Sequence, residues 1–262
     1  MRKAIRTAVI CVAASVLAFA ADDLKITYRT ETKQMMTSKG SQVDYHSERY
    51  SLTKNDGEKK DTLVDYQSLV FYGIDHKKKV ISRMTLEDIL RATDLTAANL
   101  EKDSSKAEKA KNMVKSIFGE TAVVSVKKVG TEQVAGRNCE KWDIAYGKLS
   151  CRASVDPSLV LPVDPEMLEK ANKLNNGALL ANPMLGKVFG EFYDAMYSIK
   201  GIRLKSEAVM PVGPMTTRVF KEATEVVVGP VPASLFDLPK GYKEEDAGKK
   251  LLEDLQKELD KK

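Results

Sequence analysis

From Leu24 to Thr85 the pattern of the chain is strand-like, with short polar turns between runs that alternate apolar and polar side chains most clearly at the start. Residues 23–33 set Leu24, Ile26, Tyr28 and Thr30 against Lys25, Thr27, Arg29 and Glu31. That period lets a strand bury one face and wet the other, whereas a helix needs a repeat of 3.6. After Lys39-Gly40 the segment 42–54 shows a more polar version. Asn55-Asp56-Gly57 is a hairpin turn ahead of 62–74, and 75–79 turns into 80–84. Strands joined this closely must run antiparallel, because a parallel pair needs a long crossover. The pattern therefore predicts a meander with one packed and one solvated face.

Helical periodicity takes over at Thr85, whose hydroxyl suits an N-cap, and a second run at 104–118 places Ala107, Ala110, Val114 and Phe118 on one stripe. Strand character returns over 122–128 and 133–155. Asp164-Pro165 opens a helix over 165–176, and Asn182-Pro183 opens another over 183–199, with a capping side chain followed by proline at the first helical position. The second of these is strongly apolar, through Met184, Leu185, Val188, Phe189, Phe192, Met196 and Ile199. Strands follow at 202–211 and 215–228, turning at Gly213-Pro214, and 233–242 closes the sheet. Residues 244–262 read as a charged helix with a narrow stripe of Leu251, Leu252, Leu255 and Leu259. With no repeat or composition break, the reading is one α+β domain over 21–243, with a helical insertion at 85–119 and the helix 244–262 appended.

The N-terminus carries an address. Arg2, Lys3 and Arg6 precede the short apolar run 8–18, and Ala18-Phe19-Ala20 forms a small-x-small site before Ala21-Asp22-Asp23. This is the grammar of a Sec-type signal peptide cleaved after Ala20, and it predicts a periplasmic or secreted protein. The apolar run falls short of the roughly 20 residues a span requires, so no integral membrane protein is expected. The net charge of +5 changes meaning accordingly. Three basic and no acidic residues lie in 1–20, and the remainder carries +2. Nucleic acid is not an expected partner, because no concentrated basic face is present.

Beyond Cys11, the two cysteines Cys139 and Cys151 form an even pair in an oxidising compartment and read as one disulfide. A hairpin turning at Tyr146-Gly147 would place the sulfurs three residues out of register. A bulge, or a turn centred on Ala145, would restore the pairing. Two free thiols are the alternative.

Catalytic chemistry finds little purchase. His46 and His76, the only two histidines, sit among charged neighbours and read as surface residues. A Ser–His–Asp trio drawn from Asp44-Tyr45-His46-Ser47 fails, since adjacent strand residues point to opposite faces. No phosphate-binding, nucleophile-elbow or zinc-protease motif is present. The methionines lack the clustering a copper site would use. No metal, no cofactor and no enzyme are expected.

Three local motifs carry a family resemblance. They are Tyr72-Gly73-Ile74-Asp75-His76-Lys77-Lys78-Lys79, then Gly136-Arg137-Asn138-Cys139-Glu140-Lys141-Trp142-Asp143-Ile144, then Phe236-Asp237-Leu238-Pro239-Lys240-Gly241-Tyr242. In this order, behind an export signal, they resemble the exported bacterial DUF4412-type proteins and, more distantly, periplasmic lipoprotein carriers of the LolA/LolB kind. The resemblance covers 24–242. It implies a curved antiparallel half-barrel with helices over its concave face, a hollow that in the carriers holds acyl chains. The helical insertion 85–119 and the helix after Tyr242 depart from that pattern, and the carriers' acyl-binding residues have no counterpart here.

The sequence thus predicts an envelope protein that binds an apolar, lipid-like ligand between sheet and helices, with Met184, Val188, Phe189, Phe192 and Met196 as its wall. The alternative is an interaction or structural module that meets an envelope partner through its leucine stripe.

Overall fold

The computed structural model describes residues 22–57, 59–102, 123–175, 183–212 and 215–260, with single positions between 105 and 115. The signal-peptide reading of 1–20, most of the helical run 104–118 and the cap at Asn182 lie outside the described residues. Among the described residues twelve strands form one curved, unclosed sheet. The first six are β1 (Leu24–Lys33), β2 (Thr37–His46), β3 (Tyr50–Asn55), β4 (Lys60–Asp65), β5 (Val70–Asp75) and β6 (Val80–Thr85). After helix α1 (Leu86–Lys102) come β7 (Ser125–Val134), β8 (Arg137–Tyr146) and β9 (Leu149–Asp156). Helices α2 (Pro165–Asn175) and α3 (Pro183–Tyr197) precede β10 (Ile202–Val212) and β11 (Met215–Val228). The chain ends in β12 (Lys243–Asp246) and α4 (Ala247–Asp260).

Spatial order is β12-β6-β5-β4-β3-β2-β1-β11-β10-β9-β8-β7, so two antiparallel meanders meet where β1 pairs with β11. The predicted alternation is realised there. Leu24, Ile26 and Tyr28 are buried on one face, while Lys25 and Arg29 on the other pair with Glu225 and Glu222. Farther along the outer face Lys205 bridges Glu132 and Glu222, and Arg137 pairs with the buried Asp156. Caps form as the sequence implies. Thr85 Oγ1 accepts from the backbone N–H of Asp88 at 3.1 Å, and the Asp88 carboxylate accepts from the Thr85 N–H at 2.9 Å. Asp164 Oδ1 accepts from the N–H groups of Glu166 and Met167 at 2.9 and 3.1 Å.

Three expectations are corrected. Residues 233–242 do not form a closing strand. A 3₁₀ turn at Ala233–Phe236 leads an extended stretch whose Phe236, Leu238 and Tyr242 pack on Leu52, Leu63, Ile74 and Ile81 of the outer face. Because the chain crosses that face instead of turning tightly, β12 joins β6 in parallel. The leucine stripe is not a free surface either: α4 packs on α1 and β6, Leu251, Leu252, Leu255 and Leu259 are half-buried, and Asn99 Nδ2 donates to the Leu255 carbonyl at 3.2 Å.

The third correction concerns Cys139 and Cys151, which are free, buried thiols. The β8–β9 turn falls at Gly147-Lys148, pairing Tyr146 with Leu149 and Ile144 with Cys151. Cys139 therefore lies five residues from the rung of Cys151, on the opposite face of the sheet, and the sulfurs cannot bond. Burial pushes the Cys139 thiol up to about 11 and raises that of Cys151, so both are thiols at neutral pH.

Buried carboxylates give the fold an acid limit. Burial alone would raise Asp65 and Asp156, but Arg49 and the Ser68 N–H hold the first, and Ser158 and Arg137 the second, below the usual carboxylate range. A carboxyl whose folded value is depressed contributes stability that is complete above its unfolded value, about 3.9, and is lost as pH falls through the folded value. The urea midpoint is therefore expected to drop steeply below about pH 4. A midpoint flat from about pH 5 to pH 2.5 would contradict this.

Candidate functional site

A cavity of about 860 Å³ opens between the sheet, the 157–163 connection, α2 and the C-terminal end of α3. Its apolar wall is built by Val155, Leu159, Leu161, Leu168, Met196 and Ile202. Each has a local cause. Val155 shares the inner face with Ala153 and Cys151 by the period of β9. Leu161 and Leu168 flank the α2 cap at Asp164, and α2 is seated by Ala171 against Val64 and Tyr66 of the same face. The connection can run so close because residue 201 is glycine. At φ +111° it occupies a conformation open to glycine, and a Cβ would collide with the Asp156 carbonyl.

Cross-strand register brings the polar groups together. The pairs Leu24↔His46, Ile26↔Asp44, Thr30↔Lys221 and Ser206↔Lys221 put Asp44, His46, Ser206 and Lys221 on the inner face. Asp44, 7% exposed, accepts from Gln42 Nε2 at 2.7 Å, Thr53 Oγ1 at 2.9 Å and Lys221 Nζ at 2.9 Å. The Lys221 ammonium also sits 3.8 Å from the Tyr28 ring centroid. Burial by itself would raise the Asp44 carboxyl, but Lys221, His46 and the Gln42 amide outweigh it and hold the group below the usual range. Burial lowers the His46 imidazole; Asp44 opposes this, Lys221 reinforces it, and His46 Nδ1 is sealed without a hydrogen-bond partner. The expectation of a surface histidine is thus corrected: residues 44 and 46 are two apart, share a face, and turn inward.

His76 is the outer-face histidine, with Nε2 2.9 Å from Asp61 Oδ2 and Nδ1 3.0 Å from the Tyr242 hydroxyl. Among the described residues no group of three or more metal-ligating side chains converges.

Of the wall predicted on α3, Met196 lines the cavity. Phe192 does not. It is 4% exposed and packs into the core with Ile144, Tyr146, Cys151 and Val155. The side chains of Met184, Val188 and Phe189 lie outside the described residues. The connection 157–163, Ile202 and Arg203 were missed, and the one signal for them was the apolar run Leu159-Val160-Leu161 ahead of a capped helix. Among the described residues no helix is long and apolar enough to cross a membrane.

No family model matches the sequence, and no curated protein does. Among solved structures the chain is similar to PNGF-II in its C2 crystal form, with 12% identity and a TM-score of 0.38, over 90% of this chain but 33% of that one. The chain thus spans about a third of the length of PNGF-II. An uncharacterised conserved protein from Thermus thermophilus aligns with 7% identity and a TM-score of 0.43, over 86% of this chain and 91% of the other. A LolA superfamily protein from Nitrosomonas europaea aligns with 7% identity and a TM-score of 0.29, over 84% and 92%.

Proposed function

We propose that this is an exported envelope protein that binds an apolar or amphipathic molecule in the cavity between sheet and helices, on the concave side of the sheet. The observation that carries the reading is the cavity itself. At about 860 Å³ it falls within the usual range of small-molecule pockets, and its wall is mainly aliphatic. Affinity would come from removing apolar ligand surface from water, at about 25 cal/mol per Å² before ordering costs. The basic stretch, apolar run and small-x-small site of residues 1–20 support export to the periplasm or beyond. In this reading the protein holds its ligand: among the described residues no Asp or Glu lines the cavity, and the nearby Asp44 is engaged by Gln42, Thr53 and Lys221.

The test is native mass spectrometry of gently purified protein, followed by titration with a fluorescent fatty acid. Co-purified lipid, or saturable uptake of the probe at about one molecule per chain, is the expected result. A bare mass together with no uptake would overturn the reading.

A further inference from the structure

The cavity wall has a one-sided charge. Among the described residues its basic side chains are His46, Lys200, Arg203 and Lys221, and no Asp or Glu contributes to it. The four bases are not equivalent. Lys221 is neutralised by Asp44, and Lys200 is exposed to solvent. The His46 imidazole, lowered by burial, adds no charge at neutral pH.

Arg203 differs from all three. It is half-buried where β10 breaks register between Arg203 and Lys205, and its backbone carbonyl accepts from the Tyr28 hydroxyl at 3.2 Å, which fixes the start of its side chain. Its guanidinium Nη1 is directed at the Met196 sulfur, 3.8 Å away, and the Cys151 sulfur lies beside it. Both are weak acceptors for a full positive charge. Arg203 makes no ion pair with any described residue, although the outer face a strand's thickness away is laced with them. A half-buried guanidinium with only two sulfur atoms beside it keeps its hydrogen-bonding capacity for an anion, and its planar fork matches a carboxylate or phosphate with two parallel hydrogen bonds.

We propose that the cavity takes a single-chain amphiphile with an anionic head, carboxylate or phosphate, whose oxygens pair with the Arg203 guanidinium while its chain lies along Val155, Leu159, Leu161, Leu168 and Ile202. This rests on the reading above that the cavity holds an apolar molecule, and it adds which end of the ligand is recognised and by what.

The experiment uses the whole chain loaded with Nile red, a neutral apolar dye, and displaces it with dodecanoate, dodecyl phosphate, dodecan-1-ol and inorganic phosphate. Dodecanoate, dodecyl phosphate or both are expected to displace dye at concentrations about tenfold below dodecan-1-ol, and the stronger of the two identifies the head. Inorganic phosphate should displace none. Arg203→Met and Arg203→Gln should bring displacement by the acid and the phosphate down to that of dodecan-1-ol, and Arg203→Lys should keep part of the preference. The alcohol readout certifies that each variant is folded. Equal displacement by acid, phosphate and alcohol in the wild type, or a preference that survives both neutral variants, would overturn the proposal and leave the apolar cavity standing. Failure of the dye and all three amphiphiles to bind the wild type would overturn the cavity reading and this proposal with it.

Discussion

Alanine at Asp44 is expected to lower the stability of the fold by about 3 kcal/mol, the low end for removing one partner of a buried ion pair, because the Lys221 side chain keeps 27% of its exposure. The loss has two sources. Lys221 would be left on the inner face with the Tyr28 ring as its remaining favourable contact, and the Gln42 amide and Thr53 hydroxyl would each lose an acceptor. The effect is one of uncompensated charge and not of lost volume, so the double variant Asp44→Ala/Lys221→Met should recover much of it. Urea unfolding of the two single variants and the double variant decides the matter. A cost below about 1 kcal/mol for Asp44→Ala, or a double variant worse than both singles together, would contradict the account.

Phe192→Ala carries the other large effect, about 3–5 kcal/mol, as expected for truncating a buried aromatic side chain. The phenylalanine fills the space between α3 and the inner face of β8 and β9, against Ile144, Tyr146, Cys151 and Val155. Met196, one turn farther along, already borders open space, so Met196→Ala should cost clearly less. Thermal or urea unfolding of the pair separates the two roles. If Met196→Ala were the more damaging, the filled core and the cavity would have been assigned the wrong way round.

How much of this was legible in the sequence follows from the range of the forces involved. Local signals were readable. The alternation of β1 gave its buried face, Thr85 and Asp164 gave their caps, and Asn55-Asp56-Gly57 gave its hairpin. Pairings across the chain were not. Nothing near Ile26 or Asp44 announces that β11 will lie beside β1, yet that pairing supplies Lys221 to Asp44 from 177 residues away. The disulfide failed on register: the bond needed a bulge or a turn centred on Ala145, whereas the two-residue turn at Gly147-Lys148 leaves Cys139 five residues out of step with Cys151 and on the opposite face. The site was half-seen for a related reason. Periodicity marks the apolar face of α3 but cannot say whether a side chain on it meets a partner or a void, so Phe192 and Met196 looked alike. Arg203 was hidden altogether, because a bulge redirects its strand and alternation does not foresee bulges.

The central claim, that the space between α2, the 157–163 connection and the inner sheet face is built to hold an apolar chain, is tested most directly by a crystal structure of the protein grown with dodecanoate. The account predicts continuous density for the chain between Leu161, Leu168 and Ile202, with the carboxylate at Arg203. A cavity closed by inward movement of Leu161 and Met196, with no density between them, would contradict it.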